Sequence, residues 1–489
     1  MVTDWISKWA GYTPIKMAVR DAHLGSDLTY QQLNSLSNYL GEKLVNAGLQ
    51  KGDRVVLLSE FRLELIVLAG AAMKKGFILV PLNYRLSSRE IAYMVNDCKP
   101  QAIMIEDQFE KLLDLKQLDF KVANSYRIDA LAEDLHQVED QVFLDNCINL
   151  DEDDALFILY TSGTTGFPKG AIYTYKMAFW NATNTQLRLD ITSQDHTVIC
   201  MPPFHTGGWN VLLLPFLFQG ASFSLIRKFE AGHVLRCLEE EEANMFMGVP
   251  TMLKMMADDP IFEEVDLEKL RYFIVGGEPM PIPLIEIWEK KGVPIRQGYG
   301  LTEVGPNVTS LHHSDAIRKI GSIGTPNFFI ETKIAQELDT DSLSGELLLK
   351  GPAVTPGYWN NSEATEKAFI DGWFKTGDII EVDEEGYYYV KDRIKNMYIS
   401  GGENVYPAEV EKYLSKHPKV DEVAIIGVSD SRWGEVGKAF IVSKAEVTSE
   451  EILHYCQGNL AKFKIPKYFT FLPELPKNAT GKIDRLKLG

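Results

Sequence analysis

The sequence predicts a layered α/β protein with parallel sheets, built as one large domain and at least one smaller one. Three observations lead there. Helical periodicity from Tyr30 to Ala47 gives way to a short β-branched run, Asp53 to Leu58, opened by a Lys51-Gly52-Asp53 turn, and similar alternations recur along most of the chain. The length of 489 residues exceeds what one hydrophobic core usually organises, while 45% hydrophobic and 24% charged residues are ordinary for a globular chain. The charge is also unevenly spread. From Lys391 onward there are 16 Lys and Arg against 13 Asp and Glu, so this segment is +3 and the remainder carries −21 of the net −18. The junction falls in the polar stretch Lys391-Asp392-Arg393-Ile394-Lys395-Asn396, between the strand-like runs Gly386 to Val390 and Met397 to Ser400. The expected division is therefore a large domain over 1–392, a hinge at 393–396 and a small domain over 397–489.

The acidic balance argues against nucleic acid as a partner, since no general positive field would attract a polyanion. The five cysteines (Cys98, Cys147, Cys200, Cys237, Cys456) are odd in number and scattered, which suits free thiols in a reducing cytoplasm. Residues 1–20 lack a signal-peptide layout. The apolar stretches Leu65 to Ala72 and Val211 to Phe218 are too short or too interrupted to span a bilayer, so no integral membrane association is expected. No fixed-period repeat or low-complexity tract is present. No coiled-coil seam or interface patch marks an assembly, and a homodimer stays open.

The most informative segment follows the buried-strand run Ala155 to Leu159. After Tyr160, the ten residues Thr161-Ser162-Gly163-Thr164-Thr165-Gly166-Phe167-Pro168-Lys169-Gly170 hold four hydroxyls, three glycines and one lysine. Glycines let backbone N–H groups turn toward an anion, hydroxyls add donors and the lysine supplies a point charge, which together describe a polyphosphate cradle. It is not a Walker A loop, because Lys169 lies between Pro168 and Gly170.

This run resembles the signature loop of the adenylate-forming superfamily of acyl-CoA synthetases, peptide-synthetase adenylation domains and luciferases. The resemblance extends over nearly the whole chain, from Leu28-Thr-Tyr-Gln-Gln-Leu33, Lys51-Gly-Asp-Arg-Val55 and Pro81-Leu-Asn-Tyr-Arg85 to the last residues, with six or more signatures in order. It implies an acyl-CoA synthetase-like fold: a large N-terminal domain of layered α/β subdomains and a small mobile α+β C-terminal domain that acts as a lid.

The resemblance also implies roles. Thr161, Ser162, Gly163, Thr164, Thr165 and Lys169 would hold the β- and γ-phosphates of ATP. Pro202-Pro-Phe-His205-Thr-Gly-Gly-Trp209 is similar to the acyl-site motif, with His205 lining the carboxylate pocket where amino-acid-activating relatives carry Asp. Trp209 stands where some long-chain members gate an acyl tunnel, though a tryptophan that simply packs reads equally well. Gly276, Gly277, Glu278 and Pro279 resemble the segment whose backbone lies against adenine, with Gly276 also lining the acid pocket. In Gln297-Gly-Tyr-Gly-Leu-Thr-Glu303, Tyr299 would stack on adenine beside Gly300, Thr302 would reach phosphate, and Glu303 would bind Mg²⁺. Asp378, in Trp373-Phe-Lys-Thr-Gly-Asp378, and Arg393 would hold ribose; a carboxylate can accept from two vicinal hydroxyls at once. Gly345 to Gly351 and Pro356-Gly-Tyr-Trp359 fit a structural β-region. Lys395 occupies the hinge position, Gly401 and Gly402 the pantetheine tunnel, and Lys482, in Pro476-Lys-Asn-Ala-Thr-Gly-Lys482-Ile-Asp-Arg485, the catalytic lysine.

The implied reaction has two halves. A carboxylate attacks the α-phosphorus of ATP with Lys482, Glu303 and His205 assisting, and coenzyme A then displaces AMP after the small domain turns. A medium- or long-chain fatty acid is the expected substrate, and an aryl acid such as a cinnamate or succinylbenzoate the runner-up. Transfer to a carrier protein instead of CoA, and an inactive relative kept for binding, are the rival readings. Nothing marks the oxygen chemistry of a luciferase.

Overall fold

The computed structural model describes residues 2–161, 168–277, 280–336, 344–393, 396–400, 403–430, 433–457, 460, 462–478 and 481–489. The chain forms two compact units: residues 1–332 with 349–374, and residues 333–348 with 375–489. The division thus falls upstream of the expected hinge, and 375–392 belong to the second unit.

The first unit is the predicted α/β layering. Its six-stranded sheet runs in the order Asn124–Arg127, Ala102–Ile105, Arg54–Leu58, Ile78–Pro81, Ala155–Thr161, Lys169–Thr174. Every neighbour pair is parallel except the last, which is antiparallel. The nine-stranded sheet is parallel in its middle, where Ile295–Tyr299, Tyr272–Val275, Met245–Gly248, His196–Ile199 and Ser222–Leu225 follow one another. Parallel strands need long crossovers, and helices supply them. The helix Tyr30–Asn46 opens with a reciprocal Thr29–Gln32 capping box, and Ser88–Cys98 with a Ser87–Glu90 box. The helix Leu63–Lys75 is buried almost throughout and ends at Gly76, whose φ of 72° is left-handed. One core joins both sheets: Val55 and Leu57 from the first, Val19, Phe223 and Leu225 from the second, with Ile66, Met73 and Tyr175 from the helices between.

The second unit closes a smaller core around Tyr398, Val410, Leu414, Ile425, Ile441 and Ile452, where the helices Pro407–Leu414 and Ser449–Cys456 cover the long antiparallel pair Val420–Asp430 and Gly434–Ser443. All five cysteines are free, and only Cys147 is exposed. Among the described residues no helix is long and apolar enough to cross a membrane.

Candidate active site

The carboxyl ends of parallel strands in the nine-stranded sheet lead to one group of the predicted site residues, Gly276, Gly277, Tyr299, Gly300, Thr302 and Glu303. In α/β sheets these ends are where ligands bind, because the loops leaving them diverge to opposite faces. Tyr272–Val275 leads into Gly276 and Gly277; Ile295–Tyr299 leads into Gly300 and the short 3₁₀ turn Thr302–Val304, which carries Glu303. A Cβ on Gly276 would lie 3.4 Å from the carbonyl oxygen of Gly298, and one on Gly300 only 2.2 Å from that of Pro306. Gly300 therefore admits no side chain, and the turn presenting Glu303 depends on that close backbone approach.

His205 follows the strand His196–Ile199, which Met245–Gly248 separates from Tyr272–Val275, and stands just before the short helix Thr206–Asn210. Its ring packs on Phe204 with centroids 4.7 Å apart. The following Gly207 faces an apolar wall: a Cβ there would meet the methyls of Met247 and Met201 at 3.5 and 3.7 Å. Trp209 takes the packed of its two readings. It is fully buried, donates its indole N–H to the carbonyl of Pro203 at 2.7 Å, and sits between Phe61 and Phe157 at 4.7 and 5.1 Å. A gate would have to break all three contacts.

The signature loop connects two antiparallel strands, Ala155–Thr161 and Lys169–Thr174, so it is a hairpin connection with no helix following it. Thr161 and Lys169 pair at its base, where the Thr161 hydroxyl donates to the Lys169 carbonyl at 3.4 Å. Below it Tyr160 donates to Asp97 at 2.5 Å, tying the hairpin to the helix Ser88–Cys98. Ser162, Gly163, Thr164 and Thr165 lie outside the described residues, as do Glu278, Pro279, Lys395, Gly401 and Gly402.

Sequence reasoning missed one residue of this site. Tyr358, placed in a structural motif, donates its hydroxyl to Glu303 Oε1 at 2.9 Å, and its ring lies under Lys169 with Nζ 5.3 Å from the centroid. Burial, and then the neighbouring Glu303 carboxylate, raise its pKa, so the phenol stays protonated and donates. The sequence signal was the motif Pro356-Gly-Tyr-Trp359 itself, but nothing local connects it to a glutamate 55 positions earlier.

Residues 6–359 match the AMP-binding enzyme family, and residues 409–482 match its C-terminal domain. The chain belongs to the AMP-binding enzyme family. It is 37% identical to a long-chain-fatty-acid–CoA ligase of Mycobacterium tuberculosis, over 93% of this chain and 91% of that one. It is 36% identical to a feruloyl-CoA synthase of Amycolatopsis, over 98% and 96%. Among solved structures, the O-succinylbenzoate coenzyme A synthetase of Bacillus subtilis in complex with ATP and magnesium ion superposes with a TM-score of 0.88 at 32% identity, covering 99% of each chain.

In the second unit of this family member, Asp378 is buried, with 3% of its surface exposed, and its backbone pairs with that of Arg393. The Arg393 side chain lies outside what the structure describes. The residues around Asp378 are held by two side-chain bonds: Thr376 donates to the Leu347 carbonyl at 2.7 Å, and the Gly377 N–H donates to Glu346 at 3.0 Å. Lys482 is exposed on a terminal hairpin in which it and Asn478 exchange main-chain and side-chain bonds, Asn478 N–H to Lys482 O at 2.8 Å and Lys482 N–H to Asn478 Oδ1 at 3.1 Å. Arg485, the last residue of the terminal motif, anchors that hairpin: its guanidinium Nη2 reaches both oxygens of Glu411 at 2.8 and 2.7 Å.

Proposed function

We propose that this AMP-forming acid:CoA ligase activates an apolar carboxylic acid through an acyl-adenylate, with its first unit supplying the phosphate and metal contacts and its second the mobile lysine. In the first half-reaction a carboxylate oxygen bonds to the α-phosphorus of ATP while the α–β phosphoanhydride breaks and pyrophosphate leaves. In the second, the thiol sulfur of CoA bonds to the acyl carbon, the acyl–phosphate bond breaks and AMP departs. Charge builds on phosphate oxygens in the first step, so catalysis rests on positioning and on cationic contacts.

The observation that carries this reading is the convergence of Lys169 and Glu303 on Tyr358. A single half-buried carboxylate beside a lysine suits a divalent cation that arrives with ATP, since Mg²⁺ takes one or two protein carboxylates and keeps phosphate oxygens among its ligands. Glu303 would hold the Mg²⁺, which when bound would neutralise the polyphosphate. Lys169 would meet the β- and γ-phosphates, Tyr299 and Gly276–Gly277 the adenine, and Asp378 with Arg393 the ribose. Lys482 would bridge the carboxylate and the α-phosphate, and rotation about Lys395 would then exchange it for the Gly401–Gly402 segment and pantetheine.

For the acid, the methionine-lined wall at Gly207 supports a medium- or long-chain fatty acid, because Met side chains adapt to apolar ligands. The packed Trp209 favours an aryl acid as the second reading, since its indole fills the position from which a tunnel would lead. CoA-dependent AMP formation across fatty acids of rising length and several aryl acids tests both. Turnover peaking at one chain length supports the first, and AMP from aryl acids alone the second. If only a holo carrier protein accepts the acyl group, CoA is the wrong acceptor. If no acid releases pyrophosphate, the catalytic reading itself fails.

A further inference from the structure

Two groups of opposite charge, contributed by segments far apart in sequence, touch one phenol. Glu303 sits on the turn after Tyr299 and Lys169 on the hairpin strand, and Tyr358 receives both, by its hydroxyl and its ring face respectively. The main chain fixes this arrangement. Ala171 and Tyr358 form an antiparallel bridge; the Trp359 N–H donates to the Gly170 carbonyl at 2.7 Å and the Ile172 N–H to that of Gly357 at 3.1 Å. On the other side, the Thr355 N–H donates to the carbonyl of Glu303 itself at 2.7 Å. The buried Thr355 hydroxyl lies within hydrogen-bond distance of the Ile172 and Gly357 carbonyls, at 2.7 and 2.9 Å. The loop 355–359 is therefore stitched to the hairpin strand and to the glutamate turn at once.

We infer that Tyr358 is a positioning residue which holds the Glu303 carboxylate in the orientation a divalent cation requires, through Oε1, while its ring face holds the Lys169 ammonium toward the phosphates. This rests on the reading of Glu303 as the metal ligand. The physical reason is that a lysine and a glutamate left to themselves collapse into an ion pair, which would cost both the metal and the phosphate their contact. A neutral donor with an aromatic face satisfies each charge separately: the hydroxyl orients the carboxylate as outer partners of metal ligands do, and the ring attracts the ammonium by its quadrupole.

The test uses the full-length enzyme with Tyr358→Phe, Tyr358→Leu, Glu303→Gln and the Tyr358→Phe/Glu303→Gln double variant. Calorimetry of ATP binding with Mg²⁺ and with chelator is read beside the Mg²⁺ concentration that half-saturates acid-dependent pyrophosphate release. Tyr358→Phe is expected to raise that concentration about 10-fold, in the range found when an outer partner of a metal ligand is lost, with metal-free ATP affinity unchanged. Tyr358→Leu should also weaken metal-free ATP binding, because Lys169 loses its platform. The double variant should show no shift beyond that of Glu303→Gln. A wild-type Mg²⁺ dependence in Tyr358→Phe, or additive shifts in the double variant, overturns the inference while Glu303 keeps its role. A wild-type dependence in Glu303→Gln overturns both.

Discussion

The two lysines assigned to phosphate are held in opposite ways. Lys169 lies half-buried on a sheet strand, its ammonium over the ring of Tyr358, whose loop is bonded to the strand's own backbone. Lys482 stands exposed on a short terminal hairpin that closes on itself through Asn478. That hairpin rests on a small apolar patch, with Leu475 and Leu488 buried against Ala424 and Phe440. A group that must receive the β- and γ-phosphates in one place at every turnover gains from a fixed scaffold. A group that acts at the α-phosphate and must then make way for coenzyme A has to be able to leave, and a compact charge on a flexible stem in a small unit allows that.

The largest expected effect would break this contrast most directly. Lys482→Ala should lower the rate of acyl-adenylate formation on the order of 10³-fold, about 4 kcal/mol of transition-state stabilisation, while ATP binds as before. Single-turnover adenylation and calorimetry of ATP binding measure the two separately. If ATP affinity falls along with the rate, Lys482 is a resident ground-state contact like Lys169, and the division between fixed and departing charge disappears.

The same contrast governs what could be read from sequence. The α/β layering was legible because helical and strand periodicities alternate over windows of local chain: the helix expected over Tyr30 to Ala47 is Tyr30–Asn46, and the run Asp53 to Leu58 is the strand Arg54–Leu58. The residues at the strand ends, Gly276, Tyr299, Gly300 and Glu303, could be singled out because each sits inside a short motif, and at Gly300 the backbone of Pro306 comes too close to admit a side chain. Tyr358 was not, since its role arises from a bond to Glu303 across 55 positions, and pairing at that separation is a property of the fold. Trp209 was ambiguous for a related reason: whether an indole gates or packs depends on Phe61 and Phe157, which lie far from it in sequence.

A second experiment separates the site from the scaffold beneath it. His196 begins a strand at the end opposite His205. It is 8% exposed, with its ring nitrogens 2.9 and 3.1 Å from the hydroxyls of Ser222 and Ser224. Burial, and then the charge of Arg20, depress its pKa from 6.5 to about 4. With the folded value depressed, unfolded chains bind a proton first. The neutral ring's stabilisation is therefore complete above about pH 6.5 and fades as pH falls through about 4, by about 3 kcal/mol in all. Urea unfolding at about pH 7 and about pH 4 should show this loss in the native protein and a reduced loss in His196→Gln. An identical acid slope in the variant would move the sensitivity elsewhere, to the carboxylates of the site among others.

The smallest effect bears on how firmly the departing lysine is seated. Arg485 reaches both oxygens of Glu411, which also accepts the N–H of Ile425 at 2.6 Å, so the terminal hairpin is tied to the helix Pro407–Leu414 through one half-buried carboxylate. Burial raises the pKa of Glu411 and Arg485 opposes that rise. Removing the guanidinium leaves the carboxylate to take up a proton and the hairpin without its charged tether. Arg485→Ala should reduce adenylation roughly 10-fold, about 1.4 kcal/mol, with ATP affinity unchanged and Arg485→Lys milder, since an ammonium keeps the positive charge beside Glu411 without the planar guanidinium. If Arg485→Ala adenylates at the native rate, Lys482 finds its position from contacts made during the reaction itself, and the hairpin needs no seat of its own within the second unit.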